Sequence, residues 1–176
     1  MITIKNATLN FPSLFRLPVI KGKPADKYST KVILDPKANA AELKAIRAEI
    51  LRLRTEDLKG AKLPSDKICL RDGNDYDDEV YTDKFILSAS SKRRPHVVHS
   101  VNGQLEPLSE DDNLIYSGCI CNVNVNLWAQ NNDYGKRINC ELVAVQWKAE
   151  GTPIGGAGIS REAAMEGFEP DPDDFG

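Results

Sequence analysis

From Cys119 to Ala129 every second side chain is apolar. Cys119, Cys121, Val123, Val125, Leu127 and Ala129 fall on one face, and Asn122, Asn124, Asn126 and Trp128 on the other. A period of two held this long is incompatible with a helix, whose faces repeat about every 3.6 residues. It demands a long strand with one face on a core and an amide-rich face outward. The reading takes Leu114–Gln130 as that strand, NNDYGKR (131–137) as a turn and INCELVAVQW (138–147) as its antiparallel partner.

The remaining segments supply more strands and one helix. Ile2–Leu9 is β-prone and runs into FPSLF, where Pro12 interrupts a ladder. VIKGKPADKY (19–28) reads as a basic loop, and YSTKVIL (28–34) as the second strand. Asp35-Pro36 is a helix-start signal, and Asn39 with Glu42 three residues on is a second. The helix runs to about Leu58 and stops at Gly60, with Leu43, Ile46, Ile50 and Leu53 as one apolar stripe. CLRDGNDYDDEVY (69–81) reads as an acidic loop, TDKFILSASS (82–91) as a strand and KRRP (92–95) as a turn. Several long strands and one helix without βαβ alternation predict a mainly β protein built as an antiparallel barrel.

Composition excludes several function classes. No apolar run is long enough to span a membrane, and MITIKNATLNF lacks the pattern of a secretory leader, so a cytoplasmic, membrane-free protein is expected. Cys69, Cys119, Cys121 and Cys140 have neither zinc-ligand spacing nor the setting of a disulfide framework, and are expected reduced and buried. His96 and His99, three apart on a strand, would face opposite ways. With no nucleophile elbow, P-loop or metalloprotease motif, an enzyme is not expected, nor is a cofactor or metal. GTPIGGAG (151–158) reads as a linker hugging the barrel.

Charge is divided along the chain. Residues 1–150 hold 22 Lys and Arg against 20 Asp and Glu, whereas residues 151–176 hold one Arg against six acids. Within the basic body, cations and aromatics interleave on strands and turns. Lys21 and Lys23 lie in the early loop, Lys31 in the second strand, and Lys92, Arg93 and Arg94 at the end of another. Trp128 shares its face with Asn122, Asn124 and Asn126, while Tyr134, Lys136 and Arg137 follow on the next turn. Bases stack on aromatic faces and phosphates meet cations, which is what binding single-stranded DNA without sequence preference requires. Two rivals remain: a metal-dependent DNA-processing enzyme using the acids of 72–79, and an adaptor whose Trp128 face meets protein.

NATLNFPSLF, KYSTKVILD, the LRDG turn, FILSAS leading to RRPHVV, IYSGCICNVNVNLWA and GKRINCELVAVQ follow one order over roughly residues 3–165. In that order they resemble the bacteriophage-encoded OB-fold single-stranded DNA-binding proteins. The resemblance implies an OB-like barrel over 1–158, coating of single strands in phage replication or recombination, and action in the host cytoplasm. It also implies that 159–176, a short helix and a disordered acidic tail, recruits a replication partner such as a DNA polymerase through Glu169, Asp171, Asp173, Asp174 and Phe175. A homo-oligomer is left open. Two features depart from the pattern. The helix follows the second predicted strand rather than the third, so either LFRLPVI (14–20) hides a strand or the barrel is elaborated; and Gly176 follows the terminal aromatic.

Overall fold

The computed structural model describes residues 1–155 and 165–171. In chain order its elements are β1 (Ile2–Ser13), β2 (Val19–Ile20), β3 (Lys23–Pro24), β4 (Tyr28–Leu34), α1 (Ala40–Glu56), β5 (Leu70–Asp72), β6 (Phe85–Ser91), β7 (His96–Val101), β8 (Gln104–Pro107), β9 (Ile120–Asn132) and β10 (Gly135–Ala149). Five of these strands close a ring in the order β1-β4-β6-β10-β9 and back to β1. Their alternate side chains fill it, with Ile4, Leu9, Val32, Leu34, Leu87, Val123, Val125, Leu142 and Val145 in one buried cluster.

The ring is antiparallel except at its closure. There β6 and β10 run parallel and pair directly only at Ser90 and Glu141. Beyond that bridge a wedge fills the gap: the Cys69 amide donates to the Ile138 carbonyl at 3.0 Å, and the Ser88 amide donates to the Cys69 carbonyl at 2.9 Å. β5 continues from this wedge along β6. Past the bridge β10 stays paired with β9 on one edge and pairs in parallel with β7 on the other, and β7 carries β8 at the sheet edge.

β1 belongs to two neighbours at once and bends to reach both. Its register shifts between Ile4 and Ala7 against β9 and between Asn10 and Ser13 against β4, with Asn6 and Phe11 at positive φ. The second shift surrounds Pro12, where an interrupted ladder was expected.

The short strand inside 14–20 is real, since Val19–Ile20 pairs with Lys23–Pro24 around Lys21 and Gly22, both at positive φ. This hairpin stays outside the ring, however. The helix therefore does lie between the second and third barrel strands. It begins at the later of the two start signals. Asp35 forms a turn of its own, accepting from the Lys37 and Ala38 amides at 2.8 and 2.9 Å. With Lys84 Nζ at 2.6 Å, these donors hold its carboxyl well below the usual carboxylate range. Asn39 and Glu42 instead bind Lys5 of β1, fixing the first turn of α1 to the barrel. The expected stripe of Leu43, Ile46, Ile50 and Leu53 is buried, and α1 packs on β1, β9 and β10.

The long strand starts at Ile120, close to where its alternation begins, rather than at Leu114 as expected. Gly118 is the reason. Its φ is 114°, and a Cβ there would stand 2.1 Å from the Thr152 carbonyl oxygen. The segment 151–155 crosses at this point, held by Tyr116 Oη, which donates to the Gly151 carbonyl at 2.8 Å and accepts from its amide at 2.9 Å. The described part of the linker thus does hug the barrel. The proposed boundary at 158, most of the short helix, and Asp173, Asp174 and Phe175 lie outside the described residues. Glu169 and Asp171 are described and exposed. Among the described residues no helix is long and apolar enough to cross a membrane.

Candidate nucleic-acid interface

The closure of the barrel also shapes its main surface feature. Side chains that point outward from β4, β6, β9 and β10, with the wedge and the loop after β5, enclose an open groove of about 1020 Å³. Six cations line it (Lys27, Lys31, Arg71, Lys92, Arg93 and Arg137) against two carboxylates, Asp66 and Glu141. The groove is therefore positive although the chain is not.

Two aromatics stand at its β9–β10 side. Trp128 is 45% exposed in mid-strand opposite Asn139, and Tyr134 is 89% exposed at the hairpin tip. The hairpin is tighter than expected: Asn132 pairs with Gly135, so only Asp133 and Tyr134 form the loop and Lys136 and Arg137 are already strand. The Asn132 side chain accepts from the Tyr134 amide at 2.9 Å, an Asx turn that fixes the presentation of the ring.

A third aromatic faces these from the loop after β5. Tyr76 packs edge-on to the buried Tyr81 with centroids 5.0 Å apart, and Tyr81 Oη accepts from the buried Asn10 amide at 2.6 Å. Over the Tyr76 ring lie the Arg71 guanidinium at 4.7 Å and Lys31 Nζ at 5.3 Å. Lys31 also donates to Ser88 Oγ at 3.2 Å. The Arg71 Nε is buried without a hydrogen-bond partner among the described residues. This assembly presents a planar cation backed by an aromatic ring, suited to stack on a base or to meet a phosphate.

The structure thus brings together Lys31, Lys92, Arg93, Trp128, Tyr134 and Arg137 of the residues chosen from sequence. It leaves others outside the groove. Lys21 and Lys23 occupy the β2–β3 hairpin. Arg94 lies 5.7 Å over the Phe15 ring, and Lys136 is exposed beyond the groove lining. Asn122 and Asn124 bond their own barrel: Asn122 Oδ1 accepts from the Asn6 amide at 3.0 Å, its Nδ2 donates to Gln146 at 3.0 Å, and Asn124 Oδ1 accepts from Thr3 at 2.7 Å. Asn126 lies opposite Glu141 without lining the groove.

Sequence reasoning passed over Lys27, Arg71 and Tyr76. The LRDGNDY run looked like an acidic loop between the helix and the strand 82–91, and its one available signal was an aromatic five residues after an arginine. The four cysteines are free and buried. Cys69 and Cys140 both line the groove wall; the Cys140 thiol holds that of Cys69 below its ordinary value, while Cys69 and burial push Cys140 well above. The acids of 72–79 do not converge; among the described residues no three His, Cys, Asp or Glu side chains gather as metal ligands.

Comparison with known proteins gives the same direction. A family profile described as Enterobacter phage Enc34, ssDNA-binding protein, matches residues 1–175. Putative protein p50 of Acyrthosiphon pisum secondary endosymbiont phage 1 is 29% identical over 177 residues, covering 96% of this chain and 92% of that one. The single-stranded DNA-binding protein of bacteriophage Enc34, solved in complex with ssDNA, aligns with a TM-score of 0.74 at 25% identity over 87% of this chain and 88% of its own. The single-stranded DNA-binding protein gp2.5 of bacteriophage T7 shares the fold, with a TM-score of 0.59 at 15% identity over 97% and 96% of the two chains. A closed five-stranded barrel with one helix, a cationic groove with three aromatics, and a profile match over nearly the whole chain converge: the chain belongs to the family of phage single-stranded DNA-binding proteins typified by that of Enterobacter phage Enc34.

Proposed function

We propose that the groove at the barrel closure binds single-stranded DNA without a fixed sequence, and that the protein coats exposed strands during phage replication or recombination in the host cytoplasm. The observation that carries this reading is the groove itself, where six cations surround Trp128, Tyr134 and Tyr76. Cations track a backbone of any sequence, and every base has a face to stack. The Enc34 protein, solved with ssDNA bound, adds support from a shared fold. Binding of this kind needs no catalytic group.

A fluorescence titration tests it. Trp147 is half-buried against the core, so in a Trp147→Phe background the emission comes from Trp128 alone. Oligothymidine should quench that emission at low salt, and the affinity should fall as salt rises. Absence of both quenching and a gel shift at low salt would overturn the reading.

In the same reading the acidic end recruits a replication partner, such as a polymerase, through Glu169, Asp171, Asp173, Asp174 and Phe175. Its support is the charge division, six acids against one Arg after residue 150, and the exposure of Glu169 and Asp171. Truncation after Gly167 should abolish capture of the phage polymerase while leaving DNA binding in place. Equal capture by both forms would remove the tail from that role.

A further inference from the structure

Glu141 is at odds with a surface built to meet phosphate. It stands on β10 opposite Asn126 of β9 and pairs with Ser90 of β6, half-buried and lining the groove at the one direct bridge of the closure. The four salt bridges among the described residues all lie elsewhere, so none of the cations neutralises it. Its groove neighbours Ser88, Ser90 and Asn139 can both donate and accept, and favour no particular base. An ionised carboxylate only accepts.

Two consequences follow for a strand lying in the groove. The backbone cannot run over Glu141, because like charges repel most strongly where water is scarce. Phosphates are drawn instead to the surrounding cations, and bases turn toward the carboxylate. A base there is then sorted by what it offers. Cytosine presents its N4 amino group and adenine its N6 amino group, and acidic side chains accept well from such groups. Guanine presents N1–H and its 2-amino group side by side. Thymine has a single imide N–H held between two carbonyl oxygens, and both oxygens repel a carboxylate.

We propose that Glu141 is a base-discriminating residue, favouring amino-bearing bases over thymine at the nucleotide that crosses the β6–β10 closure. The proposal rests on the reading that the groove holds DNA, and adds a graded base preference to it.

The test compares short oligo(dC), oligo(dT) and an oligomer of N4,N4-dimethyl-2′-deoxycytidine on wild type, Glu141→Gln and Glu141→Ala at neutral pH. The wild-type ratio of the oligo(dT) to the oligo(dC) dissociation constant should exceed that of either variant by about fivefold, within the range of one good side-chain contact to a base edge. Most of the change should be a gain for oligo(dT), since the variants remove a charge that repels it. Dimethylation, which deletes both N4 donors, should cost the wild type the smaller remaining part of that factor and Glu141→Ala nothing. An unchanged ratio in both variants, or equal wild-type binding of the cytidine and dimethylcytidine oligomers, overturns the proposal and leaves DNA binding intact. Failure of wild type to bind any of the three at low salt overturns the groove reading instead. If the variants do not fold, the dimethylcytidine comparison on wild type decides alone.

Discussion

The two halves of β9 carry one sequence pattern and two different surfaces. From Ile120 to Val125 the strand lies between β1 and β10, and its outward amides bond residues of their own barrel: Asn122 to Asn6 and Gln146, Asn124 to Thr3. From Asn126 onward β1 has ended and the strand pairs only with β10, so the same outward row, now Trp128 and Gln130, opens on the groove. Alternation reports which side a residue faces. It does not report whether another part of the chain already occupies that side.

The comparison can be broken in graded steps. The largest effect is expected from removing groove cations together. Lys31, Arg71 and Arg137 changed jointly to alanine should lower the log–log salt slope of single-strand binding by about 2, at roughly 0.7 per phosphate contact. A slope that stays put would mean the groove half is not where the backbone runs.

Next is Trp128→Ala, which should weaken binding by about 1–3 kcal/mol and leave the thermal midpoint nearly unchanged. A lowered midpoint with unchanged affinity would turn Trp128 into a packing residue. Asn122→Ala should do the reverse. It deletes the acceptor of the Asn6 amide and the donor to Gln146, so urea unfolding should show a loss of about 0.5–1.5 kcal/mol with affinity for oligothymidine kept. If Asn122→Ala instead weakens DNA binding, the two halves are one surface. The smallest effect belongs to Lys136→Ala, whose exposed side chain lies outside the groove; its affinity change should stay within about twofold, the scale of a screened surface charge. A larger loss would extend the interface around the hairpin.

Much of the barrel was legible because local periodicity carried it. The alternation at 119–129, the stripe of α1 and the strand 82–91 each state their own element. β7 entered only as the strand assumed beneath His96 and His99, and β8 was missed although Asn102 and Gly103, both at positive φ, mark a hairpin turn as clearly as any dipeptide does. β8 itself is only four residues, Gln104–Pro107, and all are exposed, so no alternation advertises the strand. The closure was not legible at all. A parallel pairing of Ser90 with Glu141 joins residues far apart in sequence, and nothing near either one announces it. Of the groove lining, four of the six cations, Trp128 and Tyr134 were chosen by residue type. Tyr76 and Arg71 became visible only when Tyr81, Asn10 and β5 fixed their loop, because a tertiary hydrogen bond leaves no mark on local composition.

The thin closure makes the barrel a ring fastened unevenly. Along β9 and β10 the ladder is long, whereas between β6 and β10 there is one bridge and the wedge at Cys69. Thermal opening begins where fastenings are few, so the amides of Cys69 and Ser88 should exchange with solvent well before those of Val123 or Leu142. The groove straddles this seam, with Ser88 and Ser90 on one bank and Asn139 and Arg137 on the other. A polymer lying across it works as a staple: it can remain only while both banks stay together, and while it remains they cannot part. Strand coating and barrel integrity are then one equilibrium, and the least protected amides of the free protein become the most sensitive gauge of occupancy.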